Sequence, residues 1–128
     1  MEGLSLSIAE EVEPFGIRIT IVEPGGFRTG LLDAGSVKCA ENSIEDYAAQ
    51  GGTREMWSAY RGAQPGDPAK LGKALVEVAR MERPPKLFVA GSDALAIITP
   101  AVESRLEDMR RHEALSKSTD WVASLERA

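Results

Sequence analysis

The chain has 128 residues, a length that suits one domain, and its 43% hydrophobic and 27% charged residues are the makeup of a folded protein rather than a disordered one. Its net charge of -5 opposes nonspecific nucleic-acid binding and attachment to anionic membranes, because both need a basic surface. The longest mainly apolar stretch, Ala94–Ile98, is far too short to span a bilayer, no secretory pattern is visible, and the lone Cys39 offers neither a disulfide framework nor metal-ligand spacing. A cytoplasmic protein is expected.

Met1–Glu13 reads as an amphipathic helix. Met1, Leu4, Ile8 and Val12 make one apolar stripe, widened by Leu6 and Ala9. Pro14 and Gly16 stop it. No capping residue precedes Met1, so the helix has the look of one cut short. Ile17–Val22 is the clearest strand, with β-branched residues at five of six positions. Pro24 cannot donate to a ladder and is expected to end it.

The region 30–66 is irregular and punctuated by glycines, as a binding lid or a disordered loop would be. Short helices are expected at Ser43–Gln50 and Thr53–Arg61, capped by Ser43 and Thr53. Asp67-Pro68 opens a well-marked helix, with Asp as the cap and Pro at the first helical position. Leu71, Leu75 and Val78 are its core stripe, with Ala74 and Ala79 beside it, and Pro84-Pro85 blocks continuation. Leu87–Ala90 is a second strand, ending at Gly91. Ser92 or Asp93 starts another helix, which Pro100 is expected to interrupt before an apolar stripe of Val102, Leu106 and Met109. The tail from Leu115 carries Trp121 but little periodicity.

Two strands joined by a long helical connection pair in parallel through a right-handed crossover. The expected class is α/β, and a pair of parallel strands alone leaves an edge open to another chain. In such sheets ligands bind past the carboxyl ends of the strands. The turn Pro24-Gly25-Gly26-Phe27 is therefore either a ligand site or a simple tight turn, with Thr29 capping the next segment. Met56 and Trp57 either line an apolar substrate pocket or only pack the lid. His112 sits among Arg110, Arg111 and Glu113 and reads as a solvated helix end, and the carboxylate pairs Glu10-Glu11 and Glu107-Asp108 read as surface charge.

The run Glu2–Thr29, with its Gly-Leu-Ser helix, Phe15-Gly16-Ile17 and Pro24-Gly25 turn, resembles the short-chain dehydrogenase/reductase family. Gly66-Asp-Pro-Ala-Lys70 looks like the start of that family's penultimate helix, and Lys86–Ser92 looks like its last strand. The likeness covers Glu2 to about Trp121, but only about the C-terminal half of the family's domain. It implies the C-terminal part of a Rossmann-like, doubly wound parallel sheet, with 30–66 as a substrate lid.

The resemblance also implies roles. The Pro24, Gly25, Gly26, Phe27 and Thr29 segment would close over the nicotinamide end of NAD or NADP. The Phe27 backbone would bond the carboxamide, and the Thr29 hydroxyl the carboxamide or a phosphate oxygen. The first helix would serve sheet packing or a homo-oligomer contact. The family's Gly-rich loop and its Tyr-x-x-x-Lys pair have no counterpart here. Tyr47 and Tyr60 lack a Lys four residues later and are expected to pack in the lid. No catalytic residue and no metal ligand is assigned. The expected function is that of a part of an NAD(P)-dependent oxidoreductase acting on a small-molecule alcohol or carbonyl, inactive alone. The alternative is a non-catalytic module that associates through its sheet edge or first helix.

Overall fold

Strands β1 (Ile21–Pro24) and β2 (Leu87–Ala90) lie side by side in parallel, in register from Ile21 opposite Leu87 to Pro24 opposite Ala90. The computed structural model that shows this describes residues 1–33, 35–38 and 53–121. Cys39, Tyr47 and the helix expected at Ser43–Gln50 lie outside the described residues. By internal contacts the chain forms two units, Met1–Leu95 and Ala96–Ala128.

In the first unit the parallel pairing of the two strands is as expected. β1, however, begins four residues later than the run of β-branched residues suggests. The reason lies on its partner. Pro84 and Pro85 precede β2 and bring no N–H to a ladder. The first ladder bond is Ile21 N–H to the Lys86 carbonyl at 2.9 Å, and just before it the Thr20 hydroxyl, not the main chain, reaches the Pro85 carbonyl at 2.8 Å. Ile17 is left exposed.

Helix α1 (Glu2–Val12) runs into a 3-10 turn at Glu13–Phe15 that holds Pro14. The turn closes on Gly16, whose φ of 75° suits a residue without a β-carbon. The apolar stripe of α1 is divided. Leu6, Ala9 and Val12 are half-buried, while Met1, Leu4 and Ile8 face outward, Leu4 at 64% exposure.

Helix α2 (Thr53–Tyr60) lies in the region 30–66, with Thr53 as its first residue rather than its cap. Helix α3 (Pro68–Arg80) starts as its sequence predicts: the Asp67 carboxylate accepts the Ala69 N–H at 2.8 Å, and Pro68 takes the first helical position. Val78 is buried, Leu71, Ala74 and Leu75 are half-buried, and Ala79 is exposed rather than beside the core. Val78, Ala90 and Ala94 are the buried apolar side chains among the described residues, and the buried polar one is Gln64. The core thus sits where α3, the end of β2 and the first turn of the following helix supply small residues.

That following helix, α4 (Ser92–Arg111), is continuous through Pro100, so the expected interruption does not occur. The helix carries on at both sides of the proline, which cannot make the bond its own N–H would make one turn back and whose ring crowds the carbonyl four residues earlier. In the second unit Arg111 and Glu107 pair at 2.8 Å one turn apart. A short helix α5 (Glu113–Lys117), absent from the sequence reading, carries a Lys117–Glu113 pair at 2.6 Å. Val102, Leu106 and Met109 are all exposed, as is Trp121. No helix among the described residues is long and apolar enough to cross a membrane.

Candidate functional site

The carboxyl ends of β1 and β2 meet at a cluster of glycines. Past Pro24, the Gly25 N–H still bonds the Ala90 carbonyl at 2.8 Å, so the sheet extends one residue into the turn. The chain then leaves the sheet and makes a parallel bridge, Phe27 to Gly66. Its two bonds come from the flanking residues: Gly66 N–H to the Gly26 carbonyl at 2.9 Å, and Arg28 N–H to the Gly66 carbonyl at 3.0 Å. In this geometry the N–H and C=O of Phe27 itself point to the side away from Gly66. The Phe27 carbonyl accepts the Thr29 N–H at 2.9 Å, and the Phe27 N–H has no partner among the described residues.

Thr29 caps the 3-10 turn Gly30–Leu32, its hydroxyl oxygen accepting the Leu31 N–H at a long 3.4 Å. The hydroxyl proton is left free to donate, and Thr29 is exposed. The Arg28 guanidinium turns back and donates from Nε to the Gln64 carbonyl at 2.7 Å. Gln64 itself is 3% exposed, and its Oε1 is buried with no hydrogen-bond partner among the described residues.

A carboxylate lies behind the turn. Asp93, the second residue of α4, accepts the Gly26 N–H on Oδ2 at 2.6 Å. The Gly26 N–H, opposed by burial and aided by the nearby amides of Ala94 and Asp93, holds the Asp93 carboxyl below the ordinary aspartate range. Oδ1 of the same group is buried without a conventional donor. It lies against the α-carbons of Gly25 and Gly91, where any β-carbon would collide with it. Gly91 has φ 110°, so glycine is required there twice over. A β-carbon on Gly26 would meet the Tyr60 hydroxyl instead.

The glycine pair is therefore needed to admit Asp93 and Tyr60. Tyr60 is half-buried over the turn, and its ring meets Trp57 edge-on, with centroids 6.2 Å apart and planes at 64°. Met56, Trp57, Ala59 and Tyr60 line an apolar groove of about 440 Å³ along α2. Met56 and Trp57 are still 58% and 41% exposed. The end of α2 is tied down by an Arg61–Asp33 pair at 3.0 Å.

The structure thus draws Pro24, Gly25, Gly26, Phe27 and Thr29 into one turn, and places Met56 and Trp57 on α2, which reaches this turn through Tyr60. His112 lies in the other unit, exposed, its Nδ1 2.9 Å from the Asp108 carbonyl. Glu10, Glu11, Glu107 and Asp108 are exposed as well. Among the described residues no group of His, Cys, Asp and Glu could hold a metal ion. Sequence reading missed Asp93 and Gln64. The available signal was an acidic residue in the first helical turn directly after a strand and a glycine.

A larger hollow of about 630 Å³, lined by Ile17, Arg18, Glu13 and Lys86 among others, opens at the amino ends of the strands. It lies at the end of the sheet away from the Pro-Gly-Gly turn. In a parallel sheet the carboxyl end is the one that binds ligands.

The chain is similar to proteins of known family. A short-chain dehydrogenase from Streptomyces avermitilis, known from its crystal structure, superposes on 93% of the chain with a TM-score of 0.72 at 38% identity. The chain belongs to the short-chain dehydrogenase/reductase family. An oxidoreductase of Schizosaccharomyces pombe is 33% identical over 119 residues, and a 3-ketodihydrosphingosine reductase of Bacteroides thetaiotaomicron is 34% identical over 86. The chain covers 40% and 32% of those two proteins and 42% of the Streptomyces dehydrogenase, so it spans well under half of each. No family model matches it. As a short-chain dehydrogenase/reductase chain, it carries an oxidoreductase-type α/β fold with two parallel strands.

Proposed function

We propose that the chain supplies the nicotinamide clamp and part of the substrate lid of a cytoplasmic NAD(P)-dependent oxidoreductase acting on an alcohol or carbonyl. The carrying observation is the unpartnered Phe27 N–H, turned out of the bridge at the carboxyl end of a parallel strand. The residues fit the group. A carboxamide needs a donor and an acceptor side by side. The Phe27 N–H is one, and the Phe27 carbonyl keeps a lone pair beyond its bond to Thr29. The Thr29 hydroxyl has a proton to give to the carboxamide or to a phosphate oxygen.

When bound, the nicotinamide would supply or accept the hydride; the protein would orient it. The lid groove along Met56 and Trp57 suits a bulky apolar substrate, as apolar side chains line such sites and a few polar groups fix orientation. No proton donor for the alcohol oxygen is assigned within the chain, so on this reading the 128 residues alone bind cofactor weakly and turn nothing over.

Calorimetric titration of the purified chain with NADH and with NADPH, alongside turnover assays on alcohols and ketones, tests the reading. Binding weaker than micromolar and no turnover are expected. Micromolar affinity or measurable turnover overturns it.

A second reading draws on a different observation. Met1, Leu4 and Ile8 form an exposed apolar face on α1, and among the described residues β1 and β2 pair with no further strand. Such a chain would act as a non-catalytic module by associating through that face or a strand edge. It predicts a thermal transition that rises with protein concentration.

A further inference from the structure

The short-chain dehydrogenase/reductase reading gives the Pro24–Thr29 turn its job, but among the described residues the turn's own backbone ties are few, the Thr29 N–H to Phe27 carbonyl bond at 2.9 Å being the one within it. Pro24 donates nothing, and glycines at 25 and 26 leave the backbone with wide freedom. Phe27 N–H is unused, and the Thr29 hydroxyl makes only a 3.4 Å contact. The other ties come from outside it, beginning with the Gly25 N–H on the Ala90 carbonyl at 2.8 Å. On one side the Phe27–Gly66 bridge sets the direction of the chain after the turn. On the other, Asp93 Oδ2 takes the Gly26 N–H at a short 2.6 Å, a bond that the carboxylate charge strengthens.

The fit around that carboxylate is specific. Its Oδ1 is buried between the α-carbons of Gly25 and Gly91, both of which must be glycine for the carboxylate to reach Gly26. The group also stands in the first turn of α4, where the unpaired helical amides favour a negative charge. One side chain thus joins the end of β1, the end of β2 and the start of the helix that follows. From these contacts we propose that Asp93 is the positioning residue of the clamp: by holding the Gly26 N–H it sets the direction in which the Phe27 amide and the Thr29 hydroxyl face. Asp93 touches no cofactor in this scheme and acts through the Gly26 peptide alone. The inference rests on the cofactor reading of the turn for its purpose, and on hydrogen bonding alone for its physics.

Hydrogen–deuterium exchange on the full 128-residue chain, without cofactor, tests it separately from that reading. Asp93→Ala removes the acceptor and should speed exchange in the Pro24–Thr29 segment roughly tenfold, the factor for losing a bond to a charged group. The remainder of α4 should exchange as before. Asp93→Asn keeps an oxygen of the same shape without the charge, and should fall between wild type and Asp93→Ala. If Asp93→Ala exchanges rapidly everywhere, Asp93→Asn decides, with loss of protection confined to the turn expected. Unchanged exchange in the turn overturns the proposal. So does a loss confined to the first turn of α4, or one spread evenly over the chain in both variants, because a merely helix-capping or global structural role would give those patterns. Magnetisation transfer from the chain to the adenine rather than the nicotinamide ring of NADH would leave the exchange result standing and would count against the clamp reading alone.

Discussion

Gly66 and Gly72 stand six residues apart, and replacing each with alanine should move stability in opposite directions. At Gly66 a β-carbon would lie 2.5 Å from Cδ1 and 2.6 Å from Cγ of the Phe27 ring, and 2.7 Å from the Gly26 carbonyl oxygen. The ring can turn aside. The carbonyl is backbone, already bonded to Gly66 N–H, and can move only by opening the bridge. Overpacking of this kind costs about 1–3 kcal/mol, and the two bridge bonds are worth about 1 kcal/mol each if they part. Gly66→Ala should therefore destabilise by about 2–4 kcal/mol. Gly72 lies exposed inside α3 with nothing within 4 Å of its would-be β-carbon. There alanine adds helix propensity and should stabilise by about 0.5–1 kcal/mol. At this chain length each kcal/mol moves the midpoint by about 3–6 °C. Thermal and urea melts followed by far-ultraviolet circular dichroism, at one protein concentration, read both. A Gly66→Ala chain as stable as wild type would refute the bridge argument, and a Gly72→Ala chain that loses stability would refute the reading of α3.

Three other outcomes follow from the same contacts. Gln64→Met removes a buried Oε1 that has no partner while keeping the side-chain length, so urea melts should show stability unchanged or raised by about 1 kcal/mol, not lowered. The Asp93 carboxyl is held below its usual range, so its contribution to stability is complete above the ordinary aspartate value of 3.8 and is lost as pH falls through the lower folded value. Acid titration of wild type against Asp93→Asn should show the extra acid-induced loss in wild type only. Leu4→Glu combined with Ile8→Lys puts charge on an exposed apolar face, and sedimentation velocity should show a smaller assembly than wild type if that face carries an association.

Much of the fold is legible in the chain because local chemistry decides it. Asp67-Pro68 caps α3 without help from elsewhere, and Leu87–Ala90 is bracketed by prolines before and a glycine after. β1 shows the opposite case. Its β-branched run begins at Ile17, but a strand is as long as its partner allows, and the partner's prolines lie 67 and 68 residues away in sequence. Pro100 misleads as well: local propensity argues for a break, yet the 20-residue helix runs through it. At the site, the turn itself could be read from Pro24-Gly25-Gly26. Its glycines are explained by Asp93 and Tyr60, which approach from 67 and 34 residues away, so only the folded chain shows what they make room for.

The account stands on the turn at the end of β1 receiving the nicotinamide end of the cofactor. Saturation-transfer difference NMR on the 128-residue chain with NADH reads this even when binding is weak. Transfer should be strongest at the nicotinamide ring protons and should fall when Thr29→Val removes the hydroxyl. Strongest transfer at the adenine protons, or a pattern that Thr29→Val leaves untouched, would contradict it.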